Sequence, residues 1–411
     1  MILSTSTEII EKLRKYQQEA GTELQNILAF WEKHAPDDTY GGFIGQLDNQ
    51  GAVQQEAPKG CILNARILWT FSAAYRHTGE EEYRQLADRA YDYLLAHFVD
   101  KTYGGVYWSV TAAGEPLDTR KQIYALSFAI YGLSEYHRAT GNTEALVTSQ
   151  ALFRWIEKHG YDPELGGYLE AFSRAGKLLE DLRLSEKDRN DPKTMNTHLH
   201  VLEAYANLYR VWPDTFLATQ LEKLLVVFFN HIVDAGTGHL HLFFSHDWKP
   251  SANLVSYGHD IEAAWLLLEA AEVLGNEVIL EKAKALAVAM ANATREGLQP
   301  DGSLYHELNK DENHYDKHRE WWVSAEAMVG FLNAYQLSGD EEDLRTSLNA
   351  WHFAQDHLLD QENGEWRWGV YDDYSPMLAE DKIGFWKCPY HNARACMEVV
   401  RRCGELLFHP E

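Results

Sequence analysis

His259 and Glu262 stand three residues apart, and Asn196 and His200 four apart, inside stretches that otherwise read as apolar helix. A helix turns by about 100° per residue, so the members of these pairs lie roughly 60° and 40° apart and share a face. Arg66, Tyr124, Trp322 with Glu326, and His391 occupy comparable places in similar stretches. A buried polar group without a partner costs about 1–3 kcal/mol. One at the same point of every such helix makes sense where the helices converge on a wet cavity. A lone histidine there is most simply a satisfied core residue. Three of them (His200, His259 and His391) at equivalent places read as acid/base groups instead. Imidazole titrates near neutrality, and a carboxylate at i+3, as Glu262 is to His259, can hold its tautomer and raise its pKa.

Metal ligation is less well supported. His198-Leu-His200 lies on a helix, where an i,i+2 spacing points the rings apart. His239-Leu-His241 lies on a strand, where the same spacing puts both rings on one face. No further ligand follows at suitable spacing and no His-Glu-x-x-His motif occurs, so no metal is expected. A Gly-x-Gly-x-x-Gly or Walker-type loop is also missing, and no cofactor is expected. Cys396 and Cys403, seven apart on one helix, read as packing.

The helices that must position these groups recur. Glycine turns at Gly41, Gly104, Gly166, Gly238, Gly302 and Gly364 follow one another at steps of 63, 62, 72, 64 and 62 residues. A fixed period of this kind marks one unit copied and stacked. Gln46–Gly51 reads as a tight turn, with like turns at Thr111–Gly114, Ser173–Gly176 and Tyr371–Tyr374, so each glycine site forms one end of a short β-hairpin. Between hairpins lie two kinds of helix. One is amphipathic, as at Tyr83, Ala87, Ala90, Leu94 and Phe98; the other, as over residues 62–75, is apolar nearly all round and must be buried on every face. Six wrapped helices inside six amphipathic ones make an all-α fold, the (α/α)6 barrel of six helix-pair repeats, with the hairpins on one rim. An open α-solenoid is the alternative, but it would need polar caps at its ends. No linker interrupts the series, so residues 1–411 read as a single catalytic domain. Tyr107, Trp108, Tyr168, Phe243, Phe244, Tyr305 and Trp366 fall on hairpin strands, where they either stack on sugar rings or pack the hairpins down.

The net charge of −25 argues against nucleic acid or an anionic membrane as a partner. Four cysteines form no disulfide framework, the N-terminus lacks the pattern of a signal peptide, and no apolar run is long enough to span a membrane. A cytoplasmic protein is expected, as a monomer, with a dimer left open. Thr5 and Glu8 read as a capping box on the first helix.

Four segments carry a family resemblance: Ala57-Pro-Lys-Gly-Cys-Ile-Leu-Asn-Ala-Arg66, Met195-Asn-Thr-His-Leu-His200, Ser256-Tyr-Gly-His-Asp-Ile-Glu262 and Phe385-Trp-Lys-Cys-Pro-Tyr-His391. They resemble segments of the cellobiose 2-epimerases, within the N-acylglucosamine 2-epimerase superfamily, and the likeness runs through essentially the whole chain. Cys388 and Ala393 depart from it, standing where glycine is expected. The resemblance implies an (α/α)6 barrel and cofactor-free epimerisation at C2 of the reducing-end glucose of a β-1,4-linked disaccharide. It further implies His259 and His391 as the two-face acid/base pair, with Glu262 orienting His259. Arg66, Tyr124, Asn196 and His200 would hold O1–O3 and the enediolate. Asp188, Trp322, Glu326, Trp386 and Glu307 would complete the sugar site, the two tryptophans stacking on its rings. The chemistry agrees, since inverting C2 needs ring opening, proton removal on one face and return on the other. An aldose–ketose isomerase on mannose or glucose would share the enediolate. A glycoside hydrolase would instead need a carboxylate pair drawn from Glu262, Glu326, Asp188 and Glu307, and a mere carbohydrate binder would leave the histidines without a purpose.

Overall fold

The computed structural model of the protein describes residues 7–186 and 188–408; Thr5 of the expected capping box lies outside them. The helices are α1 (Thr7–His34), α2 (Cys61–Thr78), α3 (Glu81–Tyr93), α4 (Ile123–Thr140), α5 (Thr143–His159), α6 (Met195–Val211), α7 (Thr215–Val227), α8 (Tyr257–Leu274), α9 (Glu277–Thr294), α10 (Trp321–Ser338), α11 (Glu341–Phe353) and α12 (Tyr390–Phe408). The even-numbered helices pack in sequence from α2 to α12, and α12 packs back on α2. Each odd-numbered helix lies outside, α1 against α12 and α3 to α11 against α2 to α10. The fold is therefore the (α/α)6 barrel, and the α12–α2 contact excludes the open solenoid. The sequence explains the two rings. Cys61–Ala74 of α2 and Ile123–Tyr136 of α4 are buried without interruption, whereas α3 buries Tyr83, Ala87, Ala90, Tyr91 and Tyr93 and leaves its charges outside. One hydrophobic cluster runs from Ile9 to Cys403.

The rim repeats a buried ion pair. Asp37, Asp100, Asp162 and Asp360 each open a glycine turn, and one carboxylate oxygen of each accepts two backbone N–H groups of that turn. The other oxygen takes a buried ammonium: Lys59 to Asp37 at 2.7 Å, Lys121 to Asp100 at 3.0 Å, Lys193 to Asp162 at 2.7 Å and Lys382 to Asp360 at 2.7 Å. The turn glycines Gly41, Gly104, Gly166 and Gly364 have φ between 72° and 77°, which only glycine adopts freely. The fourth unit uses another device. There His239 bridges Asp260 and Glu296, at 2.7 Å from each ring nitrogen.

The strands match the expected hairpins in part. Lys59–Gly60 pairs with Ser109–Val110, Lys121–Gln122 with Ala171–Phe172, Lys193–Thr194 with Phe243–Phe244, and Arg319–Glu320 with Gly369–Val370. These ladders stitch one unit to the next. Within a unit the hairpin forms a ladder in two places, Ser109–Val110 with Pro116–Asp118 and Glu307–Asn309 with His314–Asp316, and elsewhere shrinks to single bridges such as Phe172 to Leu178 and Phe244 to Pro250. The turns themselves are present. Gly51, Gly114 and Gly176 lie at φ 81–90°, and Trp248 and Tyr374 hold the same left-handed place at 65° and 64°. Trp248 is kept there by stacking on His231 and donating to the Leu165 carbonyl, Tyr374 by His357 and Asp301.

Lys193→Met should leave the Asp162 carboxylate buried without its ammonium and lower stability by about 3–5 kcal/mol, read from urea unfolding. Lys284→Met, at the exposed Glu281 pair, should leave the urea midpoint where it is.

Candidate active site

A cavity of about 830 Å³ opens at the N-terminal ends of the inner helices. Its wall takes Tyr124, Asn196, Trp322 and His391 from the second position of α4, α6, α10 and α12, and His259 from the third position of α8. Arg66, His200 and Glu262 come from the sixth position of α2, α6 and α8. Two sets of residues four apart on a helix share a face, so the ring brings them to one point. Trp386 and Asp188 close the wall from the connecting segments.

The three histidines are held differently. His200 Nδ1 meets Glu203 Oε2 at 2.9 Å and His391 Nδ1 meets Glu326 Oε1 at 2.7 Å. An ionised carboxylate only accepts, so both Nδ1 atoms carry the hydrogen and both Nε2 atoms keep a lone pair. His259 Nδ1 shares a hydrogen with Ser256 Oγ at 2.7 Å. The Trp322 ring lies against both His259 and His391, with centroids 4.8 and 5.7 Å away. Arg66 donates to the Tyr124 hydroxyl at 2.9 Å, which frees the phenol hydrogen to point elsewhere. Behind this wall, Arg394 bonds Glu203, Glu262 at 3.1 Å and Glu326 at 2.6 Å.

The N-acylglucosamine 2-epimerase (GlcNAc 2-epimerase) family model matches residues 42–395. The chain belongs to this family. It is 50% identical over 385 residues to a cellobiose 2-epimerase of Bacteroides fragilis, covering 93% of this chain and 98% of that protein. The solved cellobiose 2-epimerase of Bacillus thermoamylovorans superposes with a TM-score of 0.91 at 41% identity, over 95% of this chain and 100% of that one. A D-mannose isomerase, at 22% identity and a TM-score of 0.80 over 94% of this chain and 98% of that one, shares the fold. The protein is thus a carbohydrate epimerase, in the isomerase class.

The epimerase holds the three cavity histidines uncharged. Burial lowers the pKa of His259 to about 3, helped by the neighbouring His200, His306 and His391. Burial likewise takes His391 to about 3, against the pull of Glu326, and moves His200 below its ordinary value. The contacts of His200 and His391 with glutamate are therefore hydrogen bonds from neutral rings. Burial pushes Glu326 up, but Arg394 and His391 outweigh it and hold it at about 2. Burial, reinforced by Glu326, drives Glu262 well above the carboxylate range. Glu262 consequently faces the cavity as a carboxylic acid. Burial also raises the Tyr124 hydroxyl, which stays protonated.

Several expectations need correction. Glu262 does not orient His259: its oxygen is taken by Arg394, and Ser256 holds the ring. Glu326 lies behind His391, where Trp265 Nε1 also donates to it at 2.9 Å. Glu307 lines a side chamber of about 200 Å³ that shares Asp188, Asn196 and His259 with the main cavity. Tyr168, Phe244 and Trp366 are fully buried packing groups, and Trp108 braces Phe385 and Trp386. His198 is a structural residue, accepting from Tyr168 N–H at 2.8 Å and bonded to the Thr194 carbonyl. Glu262, Glu326 and His391 bring ligand atoms within 4.8 Å of one another, and the Arg394 guanidinium already supplies positive charge there. Glu203, Ser256, His306 and Arg394 escaped the sequence reading. Glu203 stands at i+3 from His200, the spacing that drew attention to Glu262.

Between pH 3 and 6.5 the unfolded chain binds protons at His259 and His391 that the folded chain refuses, so these two rings contribute stability that is complete above about pH 6.5 and is lost as pH falls, while Glu262, protonated only in the fold, works the other way. The change in urea midpoint from pH 7 to pH 5 in His391→Gln should therefore be shifted towards stabilisation at pH 5 relative to the unsubstituted protein. Neither ring's Cε1–H proton resonance should titrate across that range.

Proposed function

We propose that this epimerase inverts C2 of the reducing-end glucose of a β-1,4-linked disaccharide without a cofactor, giving glucosyl-mannose from cellobiose and epilactose from lactose. The observation that carries this reading is the pair of uncharged, buried histidines, His259 and His391, against one Trp322 ring. The cellobiose 2-epimerase relatives supply the substrate class. Trp386, half-buried between Trp108, Tyr124 and Phe385, offers a second sugar ring a face and so favours a disaccharide over a lone mannose or glucose. The cysteines, all free and buried, suit a reducing cytoplasm.

The proton count closes on these residues. In ring opening, His259 takes the O1 proton while the Glu262 acid gives one to O5. His391 Nε2 then removes the C2 proton, and Glu326 stabilises the imidazolium that forms. The enediolate oxygens meet the Arg66 guanidinium and the Tyr124 hydroxyl, both oriented before charge develops. After rotation about C2–C3, protonated His259 returns a proton to the opposite face. Ring closure passes the O5 proton to Glu262 and the His391 proton to O1, restoring the starting state. Asn196, His200 and Asp188 would hold the neighbouring hydroxyls, and Glu307 the outer ones. Hydrolysis fits less well, because Glu326 already accepts from His391, Arg394 and Trp265 and is not free to attack or protonate a glycosidic bond.

Purified protein with cellobiose in D2O should yield a reducing-end mannose signal carrying deuterium at C2, followed by NMR. Free glucose would make the protein a hydrolase, and a fructose-type reducing end an isomerase. His259→Gln and His391→Gln should each lower kcat by about 10²–10⁴-fold.

A further inference from the structure

We propose that Arg394 is a positioning residue that sets His200 and His391 together, through one buried carboxylate each. The inference rests on the epimerase reading for what the two histidines do. Arg394 does not line the cavity; it sits behind the wall on α12, 2% exposed. One terminal nitrogen bonds Glu203 Oε1, and the other bonds Glu326 Oε1 at 2.6 Å and Glu262 Oε1 at 3.1 Å. Glu203 comes from α6, which stands opposite α12 in the ring, so this one side chain spans the barrel. Tyr390 and Trp265 lie against the guanidinium at 4.1 and 4.7 Å, which fixes its fork. Each carboxylate so held passes the constraint on. Glu203 Oε2 takes the hydrogen of His200 Nδ1 and Glu326 Oε1 that of His391 Nδ1.

The consequence of losing the guanidinium follows from charge. Three glutamates, from α6, α8 and α10, would share the interior with one remaining cation, Arg66, which is engaged by Tyr124 and Cys388. Tyr124, Tyr131 and Tyr390, the phenols that face them, are neutral and offer no charge, although Tyr390 donates to Glu203 Oε1. Buried carboxylates without a cation take up protons. A protonated Glu203 or Glu326 donates to Nδ1 instead of accepting from it, and the ring hydrogen moves to Nε2. Both histidines then lose the lone pair that faces the cavity. One substitution thereby reverses two tautomers on different helices.

The test uses protein with ¹⁵N-labelled histidine and two-bond ¹H–¹⁵N correlation, which reads each ring's tautomer, with signals assigned by their loss in His200→Gln and His391→Gln. The unsubstituted protein should show both rings with hydrogen on Nδ1. In Arg394→Met both should carry it on Nε2, with kcat on cellobiose down at least about 100-fold and KM little changed. Added guanidinium at millimolar concentration should restore part of kcat. If Arg394→Met does not fold, Arg394→Lys, which keeps the charge and loses the fork, should still convert at least one ring. A folded variant whose two rings stay hydrogenated on Nδ1 would overturn the proposal, as would a loss confined to KM. Should the unsubstituted protein leave cellobiose unchanged, the epimerase reading fails, and the tautomers still decide this one.

Discussion

A lysine that cannot reach water decides where an inner helix begins. Lys59, Lys121 and Lys193 each stand two residues ahead of α2, α4 and α6, fully buried, with the ammonium on an aspartate of the neighbouring turn. Taking two ions out of water is expensive unless the geometry is right. The pairs add what is needed: Lys193 also bonds the carbonyls of Gly166 and His246, and Lys59 that of Gly41. A slip of one residue would break them and turn every following side chain by about 100°. The second and sixth residues of the helix would then leave the cavity. The helix that carries His259 is set by its own residue Asp260, through His239, so the site's register is specified by salt links at the rim.

Beneath the cavity the charges cancel. Arg66 and Arg394 stand against Glu203 and Glu326, while Glu262 keeps its proton. A neutral floor explains how three histidines can crowd together uncharged. On the proposed mechanism, negative charge arising on a sugar oxygen would meet Arg66 with the floor carboxylates already neutralised. The same low-dielectric setting that makes these groups costly to bury makes their orientation effective.

Much of this was legible in the chain. The turn glycines announce themselves because left-handed backbone tolerates few other residues, and the inner helices because long runs such as Cys61–Ala74 and Ile123–Tyr136 are buried all round. Trp248 and Tyr374 show the limit of the first rule: packing against a histidine lets a large residue hold the glycine's place. The spacing of His259 and Glu262 put both on one face, as expected, yet His200 and Glu203 share it too. Spacing alone does not reveal that Arg394 claims Glu262 and leaves Glu203 an oxygen for its histidine. Arg394 was hidden for a similar reason, since its partners lie on three other helices. The rim aromatics stayed ambiguous because a strand residue facing a sugar and one facing the next helix have the same alternation.

The cavity has a floor as well as a mouth. Trp69 stacks on Tyr131 at 5.1 Å and meets Tyr390 at 5.6 Å, and Phe128 closes on Tyr390 at 5.4 Å, filling the barrel axis below the histidines. On the proposed reading, such a blind well would admit a glucan by its tip alone. A longer chain would lower its terminal ring onto Trp322 and trail the rest outside, its interior rings never meeting the histidines. The barrel would then read chain ends, and each sugar would climb out by the way it came in.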